Sequence, residues 1–418
     1  MTRTPSRAVA VAAGCALLAS AGAALLPAAA HRGVDRVPEV WTAQERLLVV
    51  DSDTGDLVVL DDGDEVERLS TPPAPISLAR SDDGRHVFAL RGRNTDRDHV
   101  TVIDTAYDEV TGEARRPYVA RTYLAQSPGG VSDGRLPEVG GAIGVAEEGT
   151  GAMHLLDPGG LSGLGDAAAA SLELAAPDHY AFAVTHGGDG REVLHAGHLR
   201  AGGVQVLDPA TGRQRAWYDG CTTLHGAAPA GERVFFGCAD GVLVTPADPD
   251  AGTEARLVPY PSDERVAAFH AGAGGTLWGT SEGANTVVHR IDTTRDVPLI
   301  DQVSLSTGSG ALRTALATTT TPDGSRLLVL THQGFLQIRD GSDGALLREV
   351  QLGERYDLDF HEHVDRAEAP DLAPADGHVY VSQPRGGRIV TVDLGRGRVV
   401  DRMPVAGMPT RMVLLGGA

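Results

Sequence analysis

The sequence predicts an all-β fold, a β-propeller of eight four-stranded blades. Two patterns carry this expectation. From residue 46 onward there is no convincing amphipathic helix, only short alternating strands with turn residues between them. One phrase also recurs: an apolar strand, a Gly-rich hairpin, a strand often ending in Asp, a turn, and a charged outer strand. Units of about 40–50 residues with four strands each are the signature of propeller blades.

The first unit, RLLVVDSDTGDLVVLDDGDEVERL (46–69), has only three strands. The C-terminal run TRMVLLGG (410–417) supplies the missing inner strand and closes the ring, which removes exposed sheet edges. Later units appear at 86–110, 141–157, 202–218, 233–260, 275–292, 326–352 and 378–405. Most are preceded by a further strand, such as ISLAR (76–80), YAFAV (180–184), VAAFH (266–270) or TALATT (314–319). Region 111–178 is the least regular. If AAAASLEL (167–174) is a short helix rather than an outer strand, the count falls to seven blades.

The 418 residues suit one large all-β unit, with 53 glycines and 24 prolines for turns. Aromatics are few, so the core rests on Val, Leu, Ile and Ala. There is no lysine, and every fixed basic side chain is arginine. A net charge of −20 disfavours nucleic acid, itself an anion. The charge favours solubility without specifying a ligand.

Residues 1–30 read as a secretory signal peptide. Arg3 and Arg7 start it, Ala8 to Leu26 is small and apolar, and Ala28-Ala29-Ala30 offers a cleavage site. The alternative is lipidation at Cys15, which follows Ala13-Gly14 but lies inside the apolar run. Residues 31–45 are then a flexible N-terminal segment and 46–418 a single propeller domain. No later segment approaches the ~20 apolar residues of a membrane span. The protein is expected to be secreted and monomeric. Cys221 and Cys238 remain after export, and an even count in an exported protein suggests a disulfide. Shared metal ligation by the two is the alternative, though they lack a CxxC spacing.

Histidines recur at blade spacing. His179 precedes YAFAV, His225 opens HGAAPA, His270 lies on VAAFH, and His361 and His363 lie in DFHEHVD. The first three are about 45 residues apart, and the next step is about twice that. Residues at the start of each inner strand face the propeller axis, so these histidines are candidate ligands of one Zn²⁺ ion, with Asp178, Asp359, Asp365 and Asp371 as further ligands or as orienting partners. His270 is the weakest member, falling late in its strand. The other reading is that these side chains fill a wet channel and bond to backbone. His86, His99, His154, His289, His332 and His378 fall on strands or hairpin edges. His195 and His198, in HAGH, are read with His186 as a solvated Gly-rich loop.

Three segments resemble catalytic or calcium-binding motifs only in part. Gly279-Thr280-Ser281-Glu282-Gly283 matches G-x-S-x-G, but strands flank it on both sides, where a nucleophile elbow needs a following helix. Asp51-Ser52-Asp53-Thr54-Gly55-Asp56 and Asp61-Asp62-Gly63-Asp64 resemble fragments of calcium loops without the closing Glu, and read as hairpin turns. No dinucleotide fingerprint, P-loop or HExxH is present, so no enzyme is expected.

The chain resembles AztD-type zinc metallochaperones. The resemblance is carried by Cys221, Leu224-His225-Gly226 and Phe236-Gly237-Cys238-Ala239-Asp240-Gly241-Val242-Leu243, with Ala176-Pro177-Asp178-His179 and HVYVSQPRGGRIVTVD (378–393), and more weakly by 46–415. It implies a β-propeller that holds zinc and passes it to the solute-binding protein of a zinc ABC importer. The family is similar in carrying histidine-rich segments near the mature N-terminus and in early-blade loops. Here HRGVDR offers only His31, VIDTAYDEVTGEARRPYV offers none, and Asp178 stands where a second histidine is expected after Ala-Pro. The competing functions are a metal-free interaction scaffold, since propellers bind partners across their faces, and a metal-dependent propeller hydrolase or lactonase.

Overall fold

In a computed structural model, the chain is described over residues 40–417, apart from 72–74, 76, 82, 92–98, 125–135, 157–167, 263, 282–284, 309 and 358–368. Eight four-stranded antiparallel sheets form the blades of a propeller. In blade 1 the order is Pro409–Gly416, Glu45–Asp51, Asp56–Asp61 and Asp64–Ser70, so the last strand of the chain is innermost. Its register pairs Leu48 with Val413 and Asp51 with Pro409. The Asp51 carboxylate fastens this closure by accepting from the Met408 N–H at 2.9 Å.

The other seven blades run in chain order, with innermost strands Ser77–Arg80, Glu138–Val139, Tyr180–His186, His225–Ala230, Ala268–Ala271, Ala315–Thr320 and Leu372–Pro374. The eight-blade expectation holds. Ala168–Glu173 is the outer strand of blade 3, paired with Ala152–Leu156, so neither the seven-blade alternative nor the helix reading survives. Among the described residues there is no α-helix, only short 3₁₀ turns such as Pro249–Ala251 and Pro384–Gly386.

The burial pattern follows from the architecture. Second and third strands lie between neighbouring sheets and are apolar on both faces, as in Glu45–Asp51 and Gly241–Pro246. Outer strands are mostly exposed or half-buried, as in Asp64–Ser70 and Arg213–Asp219. Packed clusters join adjacent blades; Phe235, Val242 and Val244 of blade 5 meet Leu277, Ile291 and Ile300 of blade 6. The Asp that ends many third strands serves the next turn. Oδ1 of Asp208, Asp292 and Asp340 each accepts the N–H two residues on, at 3.0, 3.0 and 2.8 Å.

Two sequence expectations change. The segment 31–45 is not flexible to its end. Trp41–Thr42 pairs with Glu113–Ala114 of blade 2, and the Trp41 indole donates to Asp61 at 2.6 Å. Arg46, fully buried, forms an ion pair with the same Asp61 and lies 5.5 Å from the Trp41 ring. The HAGH stretch is not a solvated loop. It completes the second strand of blade 4, Glu192–His198, and both its histidines are 0% exposed. Gly197 is there for packing, since a Cβ would stand 2.5 Å from Leu224 Cδ2. The two calcium-like Asp fragments are hairpins, as expected: Gly55 N–H closes on Asp51 O at 2.8 Å, and the Thr54 hydroxyl donates to Asp51. The signal peptide, Cys15 and His31 lie outside the described residues.

Candidate metal centre

In each blade the innermost strand starts at one rim of the propeller, and the antiparallel second strand returns to that rim. Three side chains meet there from three consecutive blades. His179 immediately precedes the inner strand of blade 4, His225 is the first residue of that of blade 5, and Glu148 follows the second strand of blade 3. The two imidazole centres are 5.2 Å apart, with ring planes 33° apart.

Each ring is held by its Nδ1. His225 Nδ1 lies 3.0 Å from the Ala267 carbonyl of blade 6. A carbonyl only accepts, so Nδ1 carries the hydrogen. His179 Nδ1 lies 2.5 Å from Glu148 Oε1, and a carboxylate acceptor fixes the same tautomer. Metal-bound histidines are usually arranged in this way, with one nitrogen on an acceptor and the other toward the ion. An ion about 2 Å from each Nε2 stands about 3.2 Å from each ring centre, which puts two rings at the tetrahedral angle about 5.2 Å apart. The observed separation equals that figure, and it is also that of ordinary ring contacts such as Tyr180–His198 at 5.2 Å.

The remaining expected ligands stand differently. Asp178 is 1% exposed, and its carboxylate accepts from the N–H groups of His179, Arg200 and Ala201 at 2.7–3.0 Å. Its oxygens hold the turn after Glu192–His198 and the backbone entering His179. Asp371 accepts from the Leu372 and Met412 N–H groups, both at 2.9 Å, and ties blade 8 to blade 1. Burial raises its pKa. His270 is the third residue of its strand and pairs with Trp278. It is therefore about 7 Å further along the channel than a residue at the strand's start. The residue is half-buried, and the surrounding channel wall desolvates the imidazole and pushes its pKa down to about 4.

His361 and His363, with Asp359 and Asp365, lie outside the described residues. The chain on either side of them is anchored beside the channel. Tyr356 and Ala369 pack together against Leu316 on the innermost strand of blade 7, and Asp357 O accepts from His332 Nδ1 at 2.8 Å. Among the described residues, no three His, Cys, Asp or Glu side chains converge on one ion.

The cysteines form the expected disulfide, with 17 residues of separation. Cys221 follows the outer strand of blade 4 and Cys238 the second strand of blade 5, so the bond staples the seam that carries His225. A cavity of about 580 Å³ lies along the channel, lined by Leu78, Phe182, Ala227 and Pro229. The two imidazoles do not line it.

Sequence reasoning missed Glu148. Its EEGTG hairpin follows the turn pattern of DSDTG in blade 1, and only the fold shows that it faces a histidine in the next blade.

No family model matches the chain. The zinc chaperone AztD of Citrobacter koseri is 24% identical over 416 residues, which span 95% of this chain and 90% of that protein. The structure of apo AztD from Citrobacter koseri aligns with a TM-score of 0.71 at 22% identity, over 90% of this chain and 99% of that one. Dihydro-heme d1 dehydrogenase NirN, in complex with DHE, shares the fold at a TM-score of 0.59 and 16% identity, over 89% and 76% of the two chains. The AztD-type resemblance read from the LHG and GCADGVLV segments therefore extends along nearly the whole chain. That relative is a zinc chaperone.

Proposed function

From that relationship we propose that the protein is an exported zinc-handling protein, a zinc metallochaperone. It holds Zn²⁺ at the channel rim and passes it to the solute-binding protein of a zinc ABC importer. The observation that carries this reading is the His179–His225 pair. Two imidazoles from adjacent blades have their Nδ1 atoms engaged and their centres 5.2 Å apart. His361 and His363 complete the ligand set, since the described residues on either side of them pack beside the same channel. Asp178 serves mainly by positioning His179, and His270 contributes least. Zinc is cargo here, so the site must stay accessible. A partner's ligands then replace the histidines one at a time, which a rim site permits better than a closed structural site. The segment 1–30 acts as the export signal, consistent with a disulfide formed in an oxidising compartment. No helix among the described residues is long and apolar enough to cross a membrane.

The test is zinc titration of untagged mature protein against a chromophoric chelator, with His179→Ala, His225→Ala and the His361→Ala/His363→Ala pair. Wild type is expected to bind one tight equivalent that the first two variants lose. Equal binding by wild type and His225→Ala would remove the site assignment.

A further inference from the structure

The aim of His225 depends on a local backbone irregularity. The register between Blade 5's first two strands slips between His225 and Ala227, leaving Gly226 as a bulge with φ of 71°. A Cβ on Gly226 would stand 2.4 Å from the Ala267 oxygen, the same carbonyl that accepts from His225 Nδ1. Directly across the register, a Cβ on Gly237 would stand 2.0 Å from Val266 O and 2.7 Å from His225 O. The two glycines thus let the segment entering blade 6 press against blade 5, and this brings the Ala267 carbonyl to the imidazole. On the other ring, Glu148 has the equivalent place, although it comes from blade 3.

We infer that Glu148 and the Gly226 bulge are positioning elements of the zinc site, neither of them a ligand. Glu148 fixes the tautomer and direction of His179. Gly226 admits the Ala267 carbonyl, which does the same for His225. This rests on the zinc reading above. Glu148 contacts Nδ1 of the ring, so its contribution passes through His179. The leucine–histidine–glycine string then has a physical meaning: the histidine binds, and the glycine makes room for the group that orients it.

The experiment compares wild type, His225→Ala, Glu148→Ala, Glu148→Gln and Gly226→Ala as mature full-length chains. Zinc affinity is read by chelator competition, ligand geometry by the visible spectrum of the Co²⁺-substituted protein, and folding by apo-protein melting. Losing an outer-shell partner of a metal-bound histidine typically costs about 10–100-fold in affinity, and Glu148→Ala is expected in that range. Its Co²⁺ spectrum should shift while its apo melting temperature does not. Glu148→Gln keeps an acceptor oxygen and should recover most of the affinity. Gly226→Ala should weaken binding comparably; if it fails to fold, the Glu148 pair decides. Wild-type affinity in Glu148→Ala, alongside loss in His225→Ala, overturns the inference and leaves the zinc reading intact. Loss in Glu148→Ala without recovery in Glu148→Gln overturns it too, because the negative charge itself would then be what matters. A wild type that binds no zinc removes both.

Discussion

Blades 5 and 6 each place a histidine on the innermost strand, and the two stand in different surroundings. His225 stands at the rim, beside a bulge and a disulfide, with Nδ1 on a carbonyl of the next blade. His270 stands further in on a regular strand, where desolvation drives its pKa to about 4. Both are half-buried and near the axis. They differ in backbone support: blade 5 has a positive-φ glycine, a cross-seam staple and an oriented acceptor. Blade spacing alone therefore treats the two alike, and what the fold adds at His225 is an acceptor for Nδ1.

Four substitutions probe what separates the two blades. Removing the staple with Cys221→Ser/Cys238→Ser should have the largest effect, about 3 kcal/mol of stability for a loop of this length. It is read by denaturant melts, and zinc affinity should fall with it because the His225 seam loosens. An unchanged midpoint would show that the packing of the seam suffices. Next, His225→Ala should weaken zinc binding by about a hundredfold or more, ~2.7 kcal/mol.

The third concerns His289 on blade 6, fully buried and held neutral by desolvation with its pKa pushed down to about 4. The unfolded chain binds a proton near pH 6.5 that the fold refuses, so stability is full above that pH and falls between about 6.5 and 4, by on the order of 2 kcal/mol. His289→Leu should flatten this slope in melts at pH 7, 5.5 and 4.5; an unaltered slope assigns the acid sensitivity elsewhere. His195 of blade 4 is buried in the same sense, its pKa also lowered to about 4, with Nε2 between the Thr185 hydroxyl and the Ala247 carbonyl. Smallest is His270→Ala, which should cost less than tenfold in zinc affinity, below what an outer-shell group typically contributes. A loss equal to that of His225→Ala would make His270 a full ligand and erase the contrast.

Much of the fold was legible because a propeller repeats the same local physics. Alternating strands, Asp-capped turns and a three-stranded first unit point to blades and to closure by 409–416 without any long-range information. The disulfide was expected from two cysteines in a chain whose first 30 residues read as an export signal. HAGH misled because its glycine looks like loop punctuation, while Gly197 sits inside a strand where Leu224 needs its space. AAAASLEL was ambiguous because a short alanine-rich run has no period that separates an outer strand from a helix. In the candidate site, the spacing of His179 and His225 was readable. Glu148 and the Ala267 carbonyl were not, because each acts across a blade boundary, and a carbonyl leaves no mark in the residue code.

The most direct measurement is anomalous diffraction at the zinc edge from crystals of the mature protein soaked in Zn²⁺. The account predicts a single strong peak about 2 Å from both His179 Nε2 and His225 Nε2, with His361 or His363 completing the shell. A peak that touches neither imidazole, or none at saturating zinc, would contradict it.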